Sequence, residues 1–192
     1  FVAMIQSATS GMDKLRPLVV KALEGIFKPR LIVERSDLNT RIEEGVLPRT
    51  GVIGGTGKKA ETEGEAPFTQ LGLNFISQTL TGQKTGFFLD QRDLRAAIAR
   101  LSHGRTVLNL FSYTGAHGIF ALAGGAKSVL NLDSSAQALE LCGEHARLNG
   151  FPADSMICER ADVFDWLTNP PKTRFDMVIC DPPALIKSNK HL

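Results

Sequence analysis

Four stretches in the second half of the sequence place polar and aromatic side chains in patterns that suit ligand chemistry. The first is Asn109-Leu-Phe-Ser-Tyr-Thr-Gly115, directly after the apolar run Thr106–Leu110. A loop that leaves a strand and opens into a helix offers backbone N–H groups and close backbone approach to a nucleotide-like ligand. The dinucleotide pattern G-x-G-x-x-G is not met. Phe111 and Tyr113 stand where glycine would be expected, leaving Gly115 and, further on, Gly118. Such an aromatic loop crowds a pyrophosphate but suits a phosphate-free adenosyl ligand such as S-adenosyl-L-methionine, with Ser112 and Thr114 counted among its contacts. An ordinary βα turn is the competing reading.

Asp133 closes the run SVLNLD about twenty residues later, where an acidic side chain is placed to accept ribose hydroxyl protons. The same residue also suits the cap of the helix that follows. Neighbouring Ser134 is an alternative cap and a further candidate contact. Ala161-Asp162-Val163-Phe164 follows the third apolar run. There Asp162 suits the exocyclic amine of an adenine, Val163 offers a backbone N–H and Phe164 a hydrophobic wall; a simple turn cap is the alternative. Asp181-Pro182-Pro183 ends the fourth run. Two prolines after an aspartate hold a stiff, extended turn without donors of its own, fit to press a planar base against the rim of a pocket.

These motifs need elements to hold them. From Leu94 onward the sequence alternates helices (94–101, 118–123, 135–149, 163–167) with short apolar strands (106–110, 128–132, 156–159, 176–180). That grammar predicts parallel pairing with crossover helices, an α/β doubly wound Rossmann-like sheet whose ligand sits at the carboxyl ends of the strands. All four motifs fall at such ends. The first eighty residues read differently. A helix over 14–27 carries Leu15, Leu18, Val19, Ala22, Leu23, Ile26 and Phe27 on one stripe, with Pro17 early, where a first turn tolerates it. Leu31–Glu34 and Val52–Ile53 read as strands around a charged, turn-forming stretch. Further strands are expected within Ala66–Phe75, around Leu71–Ile76 and at Gln78–Leu80. This is a small α+β domain over 1–80, preceding a second domain over 81–192.

Composition sets the bounds. The 192 residues are 43% hydrophobic and 22% charged, with 22 basic and 20 acidic side chains. So even a balance does not announce a nucleic-acid partner, and it does not exclude one, because binding needs a local basic patch. Cys142, Cys158 and Cys180 are widely spaced and show no metal or disulfide pattern. Free thiols fit a reducing cytosol, so a cytoplasmic setting is expected. Cys142 and Cys158 read as structural, and Cys180 as a buried small hydrophobe. No apolar run approaches the ~18–20 residues of a membrane span, so no membrane association is expected. His103, His117, His145 and His191 share no metal-ligand spacing, and no metal is expected; His117, next to the candidate cofactor loop, is within reach of the pocket, with a surface or capping role the favoured reading. Gly51–Lys59 brushes against a phosphate-binding P-loop but has Lys59 where Ser or Thr is needed, and reads as a basic hairpin. The chain opens at Phe1 and stops at Leu192 soon after an apolar strand, so both ends are expected to be cut from a longer protein.

Together, N-x-F-x-Y-T-G, a strand-end Asp, A-D-V-F and D-P-P resemble class I S-adenosylmethionine-dependent methyltransferases. Gln83-Lys-Thr-Gly-Phe-Phe-Leu-Asp-Gln-Arg92, Glu34-Arg-Ser-Asp37 with Arg41 and Glu44-Gly45, and the terminal DPPALIKSNK are similar to signatures of the bacterial large-subunit ribosomal RNA cytosine-C5 methyltransferase family. The resemblance implies S-adenosyl-L-methionine as cofactor, large-subunit ribosomal RNA as partner and 5-methylcytidine as product, with a homodimer left open; methylation of an amino nitrogen of adenine or guanine, and a non-catalytic RNA-binding module that kept the fold, are the alternatives. It places Asn109, Phe111, Tyr113 and Gly115 along the cofactor loop, Asp133 at the ribose, Asp162 and Val163 at the adenine, and Asp181 at the mouth where the methyl is transferred. Gln83, Lys84 and Arg92 would cover the cofactor and help seat RNA, joined by Pro182, Pro183 and Lys187. In that family an RNA-binding PUA module precedes the small domain, and nothing in this sequence corresponds to it. The family's nucleophilic cysteine lies after D-P-P, and is expected beyond Leu192. The sheet is expected to be truncated after its fourth strand.

Overall fold

The computed structural model describes residues 1–57, 64–82 and 85–183. The chain divides into two compact units, one formed by Phe1–Phe68 with Ile76–Phe88, the other by Thr69–Phe75 with the chain from Leu89 onward.

In the first unit, β1 (Val2–Ile5) pairs in parallel with β2 (Leu31–Ser36), which pairs antiparallel with β3 (Arg49–Gly54). Helix α1 (Ser10–Phe27) connects β1 and β2, its first turn closed by the Thr9 hydroxyl accepting the Met12 N–H. Because α1 begins at Ser10, Pro17 lies in its interior rather than its first turn, and the Asp13 carbonyl loses its helical donor there. The expected apolar stripe also faces the wrong way for a core: no α1 residue is buried, and Leu15, Leu18, Ile26 and Phe27 are exposed. The charged stretch read as turn contains a short helix, α2 (Asn39–Glu43).

Two signature residues of this unit are structural. Arg41 is fully buried and donates to the carbonyls of Ser7 and Leu47 and to Asp13 at 2.7 Å. That contact, with Arg49 and Arg16 nearby, holds the Asp13 carboxyl below its ordinary value. Buried Glu34 accepts from Arg16 at 2.8 Å. A buried charge persists only with such partners.

Strands β4 (Glu65–Gln70) and β5 (Leu73–Gln78) form a hairpin. Leu71 and Gly72 between them both take left-handed φ, 49° and 83°, as a tight two-residue hairpin turn requires. The turn therefore falls inside the stretch expected to be strand, and the strand expected at Gln78–Leu80 is absent, since Thr79 and Leu80 turn.

The second unit follows the expected grammar. Helix α3 (Arg92–Leu101), preceded by a short 3-10 turn, leads into β6 (Thr106–Leu110), α4 (Ala116–Ala123), β7 (Ser128–Asp133), α5 (Ala136–Leu148), β8 (Met156–Arg160), α6 (Val163–Thr168) and β9 (Met177–Cys180). Among the described residues the sheet has four parallel strands in the order β8-β7-β6-β9. The chain progresses from β6 outward through β7 and β8, then returns to the other side of β6. That reversal opens a crevice at the carboxyl end of β6, the place where open α/β sheets bind ligands. Leu108, Leu110, Leu132 and Val163 form the core just beneath it, with Phe111, Trp166 and Phe175 packed against them. At the opposite end, Asp176 accepts from the Thr106 N–H and hydroxyl, which lowers its carboxyl pKa and ties the start of β6 to β9.

Candidate active site

The loop leaving β6 is defined by its backbone. Phe111, Tyr113 and Gly115 all take left-handed φ, at 55°, 50° and 73°. For aromatic residues this conformation is strained, and strain of this kind persists only where the surroundings over-determine it. Three bonds do so here: Ser112 N–H to the Leu132 carbonyl at 3.0 Å, Gly115 N–H to the Ser112 carbonyl at 2.9 Å, and Tyr113 N–H to Asp133 Oδ2 at 2.7 Å. The positions where glycine would be expected thus keep a glycine-like backbone while carrying aromatic side chains. Gly115 itself has no substitute. A Cβ there would lie 2.2 Å from Cys142 Sγ and 2.9 Å from the Met156 methyl.

The loop's side chains divide into two groups. Phe111 and Tyr113 are half-buried and border the crevice, whereas Ser112, Thr114 and Asn109 are buried. Asn109 belongs to β6, not to the loop; its amide donates to Asn131 Oδ1 of β7 at 2.8 Å. The Thr114 carbonyl meets His145 Nδ1 at 2.9 Å.

Asp133 ends β7 with both carboxylate oxygens in use, Oδ2 on the Tyr113 N–H and Oδ1 on the Ser135 N–H. The cap of α5 is Ser135, whose hydroxyl accepts from Ala138 N–H, and not Asp133 or Ser134. Exposed Ser134 gives its carbonyl to Arg160. Asp162 caps α6, with Oδ1 accepting from the Phe164 and Asp165 N–H groups at 2.8 and 3.1 Å. Its Oδ2 has no partner among the described residues. The Val163 side chain is in the core, and its backbone N–H stands at the first helical position, which an α-helix leaves without an internal acceptor. Phe164 is exposed and packs edge-on against Phe111, ring centroids 5.7 Å apart. Asp162, Phe164 and Phe111 thereby share one corner.

Asp181, Pro182 and Pro183 are exposed after β9. Asp181 Oδ2 accepts from Gln91 Nε2 at 2.5 Å. Arg92, exposed, is the next residue and begins α3. Gln83, Lys84 and Lys187 lie outside the described residues, as do Lys58, Lys59 and His191.

Of two groups near Asp181, Arg95 has no signal in the sequence and His117 reads only as a residue beside the cofactor loop. Arg95 is buried and donates to Gln70 Oε1 at 2.9 Å; burial pulls its guanidinium down to about 10, partly offset by Asp90 and Asp181, so it stays charged. His117, expected at the surface or as a cap, is instead buried on the first turn of α4, with Nε2 lacking a partner among the described residues. Burial and the Arg95 charge push it down to about 4 against a small upward pull from Asp181, so the imidazole is neutral. Nothing in the α4 pattern AHGIFALA marks His117 as buried. Only the wholly apolar context of that helix hinted at it.

Cys180, expected to be buried, is exposed because β9 is an edge of the described sheet. Among the described residues no cluster of three or more His, Cys, Asp or Glu could hold a metal, and no helix is long and apolar enough to cross a membrane.

Comparison with known proteins adds the deciding observation: the profile of the S-adenosylmethionine-dependent methyltransferase family matches residues 60–192. The chain belongs to that family. Among curated relatives, this methyltransferase chain is 40% identical over 193 residues to the ribosomal RNA large subunit methyltransferase I of Alteromonas mediterranea and 39% identical over 189 residues to that of Aeromonas hydrophila. These alignments cover 100% and 97% of the chain but 47% of each relative, so the chain spans about half their length. In fold it matches a protein of Streptococcus mutans described as a SAM-dependent methyltransferase, with a TM-score of 0.78 at 24% identity over 95% of this chain and 46% of that one. A methyltransferase structure complexed with SAH superposes with a TM-score of 0.79 at 24% identity, again over 95% and 46%. The Rossmann-like methyltransferase architecture is therefore shared across the described sheet.

Proposed function

We propose that the chain binds S-adenosyl-L-methionine at the carboxyl ends of β6–β9 and serves methyl transfer to carbon 5 of a cytidine in large-subunit ribosomal RNA. The observation that carries the cofactor reading is the placement of Asp133 at the end of β7, Asp162 just past β8 and Asp181 just past β9, at the same carboxyl side of the sheet as a loop wound through three left-handed residues. Each residue type fits one part of the ligand. The Asp133 carboxylate, already fixed by two backbone N–H groups, retains lone pairs to accept the ribose hydroxyls. Asp162 Oδ2 would accept from the adenine amine, the Val163 N–H would serve a ring nitrogen, and the Phe111–Phe164 corner would supply an apolar wall. The bound cofactor supplies an electrophilic methyl on a sulfonium.

Asp181, oriented by Gln91, stands at the mouth where the target base enters, with Pro182 and Pro183 as a rigid rim. RNA as substrate is supported by the relatives named as ribosomal RNA large subunit methyltransferases, aligned along the entire chain. The small N-terminal domain, Arg92 and the segments carrying Gln83, Lys84 and Lys187 serve the RNA. Carbon 5 of cytosine becomes nucleophilic when a thiolate adds to carbon 6; after methylation a base removes the carbon 5 proton and the thiolate leaves. The family resemblance assigns that thiolate to a cysteine after D-P-P. The base must leave its stack first, at a cost of a few kcal/mol.

Mass mapping of ribosomal RNA from a strain deleted for the full-length gene tests the product. Loss of one 5-methylcytidine from the large-subunit RNA is expected, restored by the wild-type gene. Unchanged RNA, or loss of a methyl from an exocyclic nitrogen, would overturn the carbon 5 assignment.

A further inference from the structure

Outside the crevice, Cys142 and Cys158 stand sulfur to sulfur at 3.0 Å, sharing one hydrogen bond across the contact between α5 and β8, an edge of the described sheet. We propose that this pair is a reversible dithiol–disulfide site, oxidised by a hydroperoxide, whose closure withdraws the support beneath Gly115 in the β6–α4 loop.

The two thiols are unequal. Cys142 is fully buried and Cys158 is partly exposed, so an oxidant reaches Cys158 first. The contact between the two thiols lowers the pKa of Cys158, while the same contact and burial raise that of Cys142. A lowered, accessible thiolate beside a resolving thiol is the arrangement that redox-sensitive cysteines need. In the first step the Cys158 thiolate attacks the O–O bond, forming a sulfenic acid and releasing an alcohol, or water when the oxidant is hydrogen peroxide. In the second the Cys142 sulfur attacks the sulfenic sulfur, forming the S–S bond, and the departing hydroxide takes the Cys142 proton as water. Two thiols and one hydroperoxide become one disulfide, one alcohol and one water.

The position gives the bond a consequence. Gly115 rests directly on Cys142, so near that a Cβ at this glycine would fall 2.2 Å from its Sγ. Drawing the sulfurs to a bonded separation of about 2.05 Å moves Cys142 toward β8, away from the turn it supports. The effect on ligand affinity rests on the cofactor reading above; formation of the bond does not.

Trypsin separates the three cysteines. Cleavage after Lys127, Arg147, Arg160, Arg174 and Lys187 leaves Cys142 in 128–147, Cys158 in 148–160 and Cys180 in 175–187. The full chain, reduced and then treated with hydrogen peroxide, should yield 128–147 joined to 148–160, lighter by two hydrogen atoms than the separate peptides, with Cys180 unlinked. Dithiothreitol should part them, and Cys142→Ser and Cys158→Ser should each abolish the joined species. Recovery of Cys158 as a free thiol or a sulfinic acid without the joined peptides would overturn the proposal, and the wild-type result stands even if a variant fails to fold. Titration with S-adenosylhomocysteine should show several-fold weaker affinity in the oxidised than the reduced chain. Equal affinity would overturn the coupling to the loop, whereas no binding in either state would instead refute the cofactor reading.

Discussion

Asp133 does two jobs with one carboxylate. It fixes the Tyr113 and Ser135 N–H groups and, in the proposed complex, accepts the ribose hydroxyls. Asp133→Ala is therefore expected to weaken S-adenosylhomocysteine binding by ~1–3 kcal/mol, read by calorimetric titration; unchanged affinity in a folded variant would remove Asp133 from the site. His117 makes a different prediction, about pH. In the unfolded chain its imidazole takes up a proton near 6.5, whereas in the fold it resists until about 4. The unfolded state thus binds more protons between those values. Stability from this residue is complete above pH 6.5 and is lost as pH falls from 6.5 toward 4, by up to about 3 kcal/mol. Urea midpoints of wild type and His117→Gln, compared from pH 7 to 4.5, should converge as the pH drops. The place of Asp133 at the end of a strand was legible. Burial of His117 was not, because a polar residue at a helix start reads equally well as solvated, and only the packing decides.

The elements show where periodicity suffices and where it fails. Strand β6 was read to the residue and the other sheet strands to within one or two, because short apolar runs between glycine- and proline-marked turns have one sensible partner arrangement. The β4–β5 turn was hidden because Leu71, whose residue type carries no turn signal, occupies a left-handed position. Helix α1 was extended beyond its apolar stripe by the Thr9 cap, and an apolar pattern alone did not reveal that the stripe is exposed. The motif loop was legible as an irregular turn. The need for Gly115 came from outside it, from Cys142 in α5 and Met156 in β8. Gly115→Ala is expected to destabilise the protein by about 2 kcal/mol or more, combining a left-handed φ with a steric clash. Adding Cys142→Ala should recover only part of that loss in urea unfolding, since the backbone strain remains.

Across the molecule, signatures that look functional separate into two kinds. Glu34 and Arg41 resemble motif residues of the rRNA methyltransferases, yet their side chains are spent inside the first unit on Arg16, Asp13 and backbone carbonyls. Arg41→Met should cost roughly 1–3 kcal/mol of stability by leaving the Ser7 and Leu47 carbonyls without their donor, while leaving S-adenosylhomocysteine affinity unchanged in the folded fraction. The strand-end residues of the second unit carry no such structural debt at Asp162 Oδ2, where an acceptor stays open beside an aromatic corner. The direct test is a crystal structure of the chain with S-adenosylhomocysteine. The ribose hydroxyls are expected on Asp133 and the adenine amine on Asp162, against Phe111 and Phe164. Ligand density in another cavity, with this crevice unfilled, would contradict the account.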